Sequence, residues 1–172
     1  DCRGRIAVVH NGILENFTAL KARLGRKGHR FRSQTATELI AHLLEERYQG
    51  SLASALRQVS RLLHGQYVIV AVCADEPDLV AGIRQGPPLL VGTGKGENFL
   101  SSDIPALLPS TRRIQDLDDG MMAEIRPDGI RITDAWGRTV PLKPQEITWS
   151  AEQAQKGDFE TFMLKEIHEQ PE

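Results

Sequence analysis

From Tyr67 to Cys73 the chain reads Tyr-Val-Ile-Val-Ala-Val-Cys, with no polar residue. A run this short, bounded by Gly65 and Asp75, fits a strand with apolar layers on both faces. The fold must therefore put one layer on each side of a sheet. Material for the first layer lies upstream. Phe17, Leu20 and Leu24 recur at helical spacing, as do Leu39, Ile40, Leu43 and Leu44, and then Leu52, Leu56, Val59, Leu62 and Leu63. Thr35 with Glu38 three residues later fits a capping box at the start of the second helix. Downstream the period falls to that of strands, at about Leu79–Ile83, Leu89–Val91, Phe99–Leu100, Arg113–Leu117, Met122–Ile125 and Ile130–Thr133. Turn residues at Gly86-Pro87-Pro88, Gly92 to Gly96, Asp118-Asp119-Gly120 and Pro127-Asp128-Gly129 make these antiparallel hairpins. Upstream, Ile6 to Val9 is a further strand and His29 to Arg32 a short one. The class is α+β.

Composition narrows the function. Twenty-one Lys and Arg against 23 Asp and Glu leave a net charge of −2, which argues against a nucleic-acid partner. No apolar run approaches the roughly 18–20 residues that span a bilayer, so no membrane partner is expected. Two cysteines, Cys2 and Cys73, cannot build a disulfide scaffold or a Cys-rich zinc site, and a reduced, cytoplasmic setting is the expectation. The histidines at 10, 29, 42, 64 and 168 are scattered, with no zinc motif among them, and no cofactor is implied. Gly92-Thr93-Gly94-Lys95-Gly96 lacks the order of a phosphate-binding loop and reads as a hairpin turn. Cys73 sits in the most apolar strand, where a thiol is a small hydrophobe. Cys2, near the chain start between Asp1 and Arg3, reads as an exposed terminal residue.

The chemically suggestive segment is Val8-Val9-His10-Asn11-Gly12. An Asn side-chain amide beside the unhindered N–H of a glycine can form an oxyanion hole, two donors converging on the oxygen that becomes negative in a tetrahedral intermediate. The same Asn11-Gly12 pair is also a strong tight-turn signal, since both residues tolerate positive φ. Both readings stand on the dipeptide alone. His10 reads as a packed histidine at a strand end.

Four segments in order carry a resemblance. They are Val9 to Asn16, Ser33 to His42, Gly96 to Asp103, and Phe162 to Pro171. Together they resemble the N-terminal-nucleophile (class II) glutamine amidotransferases, and among them the glutaminase domain of the glutamine–fructose-6-phosphate aminotransferases, or glucosamine-6-phosphate synthases. The resemblance implies a partial four-layer α/β/β/α sandwich with antiparallel sheets. It implies residues 1–157 as an N-terminally truncated glutaminase domain, and 158–172 as the start of a connector to an absent sugar-isomerase domain. It implies glutamine as substrate, the sugar-isomerase domain of the same parent chain as partner, and a homodimeric parent.

In that family an N-terminal cysteine attacks the amide of glutamine with its own α-amine as base, and the released ammonia passes to fructose 6-phosphate. Asn11 and the Gly12 N–H would be the oxyanion hole. Two departures are expected to matter. The family's N-terminal segment, with the nucleophilic cysteine, is taken to be missing, and Cys2 is not that cysteine. Ala36 stands where the family has an aspartate that holds the α-ammonium of glutamine. The expected fragment is therefore inactive alone. The alternatives are a catalytically dead amidotransferase-like domain that binds or regulates, or another class II amidotransferase.

Overall fold

A computed structural model describes residues 1–148. Its elements run β1 (Ile6–Leu14), α1 (Phe17–Arg26), α2 (Ala36–Arg47), α3 (Leu52–Ser60), β2 (Gly65–Cys73), β3 (Glu76–Gln85), β4 (Leu90–Thr93) and β5 (Asn98–Ser101). Then follow β6 (Arg113–Asp116), β7 (Met122–Arg126), β8 (Gly129–Thr133), β9 (Thr139–Val140) and β10 (Gln145–Glu146). Two antiparallel sheets result, one of order β1-β2-β3-β7-β8-β9 and one of order β10-β6-β4-β5. The α+β class expected from the sequence, and the packed antiparallel sheets implied by the resemblance, are the observed fold.

The all-apolar strand does what its composition requires. Tyr67, Ile69, Ala71 and Cys73 of β2 point into a core shared with the helices, among Leu24, Leu39, Leu43 and Leu56. Val68 and Val70 point the other way, against Val91 and Leu100 of the second sheet and Leu89 just before it. A period of two thus feeds two cores from one strand. The three helices all lie on the first side. The outer face of the second sheet carries Leu90 and Ile114, covered by Leu107 from the turns around Ile104 to Thr111.

Local signals yielded to the sheet in two places. Asn11-Gly12 makes no turn, because β1 runs straight through it and pairs with β2 from Ile6↔Cys73 to Leu14↔Gly65. His29 to Arg32 forms no strand but an irregular link between α1 and α2. The capping box is half formed. The Thr35 hydroxyl accepts the Glu38 N–H at 3.3 Å, but the Glu38 carboxylate turns to the Arg32 and Ser33 N–H groups instead of that of Thr35. The hairpin at Gly92 to Gly96 forms as expected, with Thr93 opposite Asn98. The connector at 158–172 and the Phe162–Pro171 segment within it fall wholly outside the described residues.

Two glycines set the β1–β2 ladder. Gly12 (φ +120) and Gly65 (φ +113) both occupy the region that side chains avoid, and a Cβ on either would strike the facing strand, at the carbonyl of Gln66 or of Ile13. Gly50 has a similar φ of +86 with nothing within 4 Å of its absent Cβ. Gly65→Ala should cost on the order of 2–4 kcal/mol in urea unfolding, combining left-handed strain and overpacking. Gly50→Ala should cost only the strain. Equal losses for the two would contradict the close approach.

Candidate functional site

β1 heads its sheet and has β2 as its sole neighbour among the described residues. Just beyond its ends, Glu15 N–H bonds the His64 carbonyl and Ala74 N–H bonds that of Arg5. Antiparallel ladders alternate bonded and unbonded pairs. Those two anchors make the odd-numbered residues of β1 the bonded ones, Asn11 with Val68 among them. The even-numbered residues therefore turn their N–H groups to the open edge, and Gly12 is one of these. Asn16 holds the end of this strand. Its side chain accepts from His64 N–H at 3.1 Å and donates to the Leu62 carbonyl at 2.8 Å.

Side chains alternate as well. Ile6, Val8 and Leu14 face the helices. Val9, Asn11 and Ile13 face the side of the second sheet, but that sheet does not extend over them, and Val9 and Ile13 stay 73% and 76% exposed. A cavity of about 290 Å³ opens there, walled by Val9 and Asn11 of β1, Val68 and Val70 of β2, and Leu100 and Ser101 of β5. The wall is largely apolar, and the Asn11 amide stands in it beside the outward N–H of Gly12. Burial holds the His10 imidazole below its ordinary pKa, so it is neutral at pH 7, and its Nε2 has no hydrogen-bond partner. The structure thus brings Asn11 and Gly12 to one exposed strand segment beside a cleft.

Ala36 is the first residue of α2, packed partly buried against the helix-side core. It does not line the cavity, although α2 lies directly on β1. The loop before it is held by Glu38, which accepts Arg32 N–H at 2.7 Å, Ser33 N–H at 2.6 Å and the Ser33 hydroxyl at 2.6 Å. Burial alone would raise this carboxyl's pKa. Those donors, with His42 nearby, bring it down to about 2.

Cys2 overturns an expectation. The sequence reading has the nucleophile-type cysteine missing and Cys2 as a loose terminal residue. Cys2 is instead present and held, its N–H donating to Glu45 Oε2 at 2.9 Å. Its thiol lies 3.5 Å from His42 Nδ1 and 3.7 Å from His29 Nδ1. A cysteine with two imidazoles and a carboxylate at hand replaces the expected absence. The Asp1 carboxylate fixes the approach by accepting the N–H of Arg5 at 3.0 Å. Burial would raise the Glu45 pKa, but the Cys2 N–H and thiol, His29 and His42 hold it below the usual range. This cluster was missed in the sequence, where its members are far apart. The available signal was His42 on the apolar face of α2, one turn from both Glu38 and Glu45.

Residues 1–109 match the family model described as a glutamine amidotransferase domain. The chain belongs to that family. Among curated proteins, this amidotransferase domain is 51% identical over 168 residues to the glutamine–fructose-6-phosphate aminotransferase [isomerizing] of Thermus thermophilus, covering 98% of the chain and 28% of that protein. The enzymes of the same name from Aquifex aeolicus and Pyrococcus horikoshii are 46% and 49% identical, each over 99% of the chain and 29% of the relative. The chain thus spans less than a third of the length of these relatives. Among solved structures, the glutamine phosphoribosylpyrophosphate amidotransferase of B. subtilis superposes with a TM-score of 0.65 over 76% of this chain and 29% of that one, at 24% identity. A second, the allosteric regulatory enzyme of purine biosynthesis, gives 0.68 over 76% of this chain and 28% of that one, at 23%. These two show the shared fold. No helix among the described residues is long and apolar enough to cross a membrane.

Glu38→Gln should cost about 1.5–3 kcal/mol of stability, the value of a hydrogen bond to a charged acceptor. Urea denaturation followed by circular dichroism reads it, and an unchanged midpoint would remove Glu38 as the brace of the loop before Ala36.

Proposed function

We propose that this chain is the glutaminase part of an enzyme that moves the amide nitrogen of glutamine to fructose 6-phosphate, giving glucosamine 6-phosphate and glutamate. The observation that carries the reading is the outward N–H of Gly12 beside the Asn11 amide, on an exposed strand segment at a cleft. Attack on the amide carbon of glutamine drives charge onto its oxygen. Two fixed donors at that oxygen stabilise the tetrahedral intermediate by roughly 3–4 kcal/mol each. The aminotransferase relatives, alike over nearly the whole chain, support the choice of acceptor sugar. In this reading residues 1–157 are the glutaminase domain and 158–172 lead toward a sugar-isomerase domain of the same parent chain, in a cytoplasmic homodimer.

Ala36 bears on how well the site holds its substrate. A methyl group where an aspartate would meet the α-ammonium removes a charge-assisted hydrogen bond worth roughly 1.5–3 kcal/mol. That single position favours a second reading, an amidotransferase-like domain that binds or regulates without turning glutamine over.

Glutamine hydrolysis by the full-length protein separates the two. Asn11→Ala should lower kcat for glutamate release by about 10²–10³ with little change in KM. A kcat within twofold of the parent's would end the oxyanion-hole assignment. Ala36→Asp should tighten glutamine binding by about 10- to 150-fold in calorimetry. An unchanged affinity would show that position 36 does not meet the substrate. A protein that releases no glutamate with either residue at position 36 is the second reading's outcome.

A further inference from the structure

We propose that Cys2, His29, His42 and Glu45 form a binding site for one zinc-type transition-metal ion. The inference stands apart from the oxyanion-hole assignment and uses neither Asn11 nor Gly12.

The geometry comes first. One donor atom from each residue, Cys2 Sγ, His29 Nδ1, His42 Nδ1 and Glu45 Oε2, falls within a set no more than 4.8 Å across. The two imidazole nitrogens are 3.2 Å apart. The sulfur is 3.5 and 3.7 Å from them, and the carboxylate oxygen 3.6 and 3.5 Å. A tetrahedral zinc ion with bonds of 2.0–2.1 Å to nitrogen or oxygen and 2.3 Å to sulfur requires ligand–ligand edges of about 3.3 Å for N–N and about 3.5 Å for S–N. Those five distances, 3.2–3.7 Å, are close to the edges of such a tetrahedron.

The chemistry of the donors agrees. A thiolate with two imidazoles and one carboxylate is a zinc-type set and a poor one for magnesium or calcium, which take oxygen ligands. As a hydrogen-bond cluster it is poorly matched, because two Nδ1 atoms, a thiol and a carboxylate crowd a single point with few protons to share. His42 adds a further sign. It is 1% exposed, and its Nε2 has no hydrogen-bond partner but lies 3.6 Å from Glu38 Oε1. With Nδ1 on a metal, the other nitrogen must carry its proton and face an acceptor, and a carboxylate is the usual one. Glu38 stands in that place.

The architecture says what the ion would do. Four protein ligands close a tetrahedron, which marks a structural site and not a catalytic one. They come from three segments: the chain start, the irregular link after α1, and α2. Neither the start nor the link has a strand or helix to hold it, and both would be tied to the helix that packs on β1. The site lies on the helix side of β1, whereas the Asn11 side chain faces the opposite side of that sheet.

The test uses the untagged protein, stripped with chelator and titrated with zinc or cobalt(II). One equivalent should bind, cobalt giving a thiolate charge-transfer band and the strong visible bands of a tetrahedral ion. Zinc should slow alkylation of Cys2 by iodoacetamide at least tenfold, while Cys73, 2% exposed, stays unreactive throughout. Cys2→Ser, at an exposed position, should keep the native circular dichroism spectrum, lose the charge-transfer band and weaken zinc binding at least tenfold. His29→Gln should weaken binding similarly. Sub-stoichiometric binding, alkylation of Cys2 unaffected by zinc, or undiminished affinity in Cys2→Ser would each overturn the site.

Discussion

The ladder between β1 and β2 is the constraint on which the rest depends. It pairs nine residues of each strand in one uninterrupted register, from Ile6 with Cys73 to Leu14 with Gly65. That register decides which β1 side chains enter the helix-side core and which line the cleft. It also decides which N–H groups are spent on β2. A shift of one residue would exchange both sets at once. Gly12 and Gly65, each with a positive φ where a side chain would strike the opposite strand, resist such a shift.

The two faces of β1 then serve different ends. Toward the helices, Ile6, Val8 and Leu14 join the core built on Leu39, Leu43 and Leu44 of α2. On the same side α2 offers His42 and Glu45 to Cys2, so the segment ahead of the strand is held by polar contacts. Toward the second sheet, β1 is left partly uncovered, and large apolar side chains at Val9 and Ile13 remain exposed. That uncovered stretch is the one that borders the cleft.

Much of this was legible because it rested on burial. Tyr67 to Cys73 announced a strand with two covered faces, and the alternation of Ile69 and Val68 between cores follows from it. Leu39, Ile40, Leu43 and Leu44 announced α2 in the same way. What misled was local turn chemistry. Asn11-Gly12 has every feature of a tight turn, yet nine pairs of ladder outweigh a dipeptide's preference. The strands β9 and β10 carried no signal, each being two residues long and mostly exposed. Cys2, His29, His42 and Glu45 were invisible for another reason. Their meeting depends on how a link without regular structure folds back, and no periodicity encodes that. The expectation of Asn11 and Gly12 as donors rested on residue type, whereas the outward direction of the Gly12 N–H needed the register.

Amide hydrogen exchange along β1, followed by NMR, tests that direction without any assumption about substrate. The N–H groups of Asn11 and Ile13 should exchange slowly, being bonded to β2, while that of Gly12 exchanges at nearly the rate of an unstructured chain. A Gly12 amide protected as strongly as its two neighbours would mean that its proton is already engaged, and the pair of donors on which the functional reading depends would not exist.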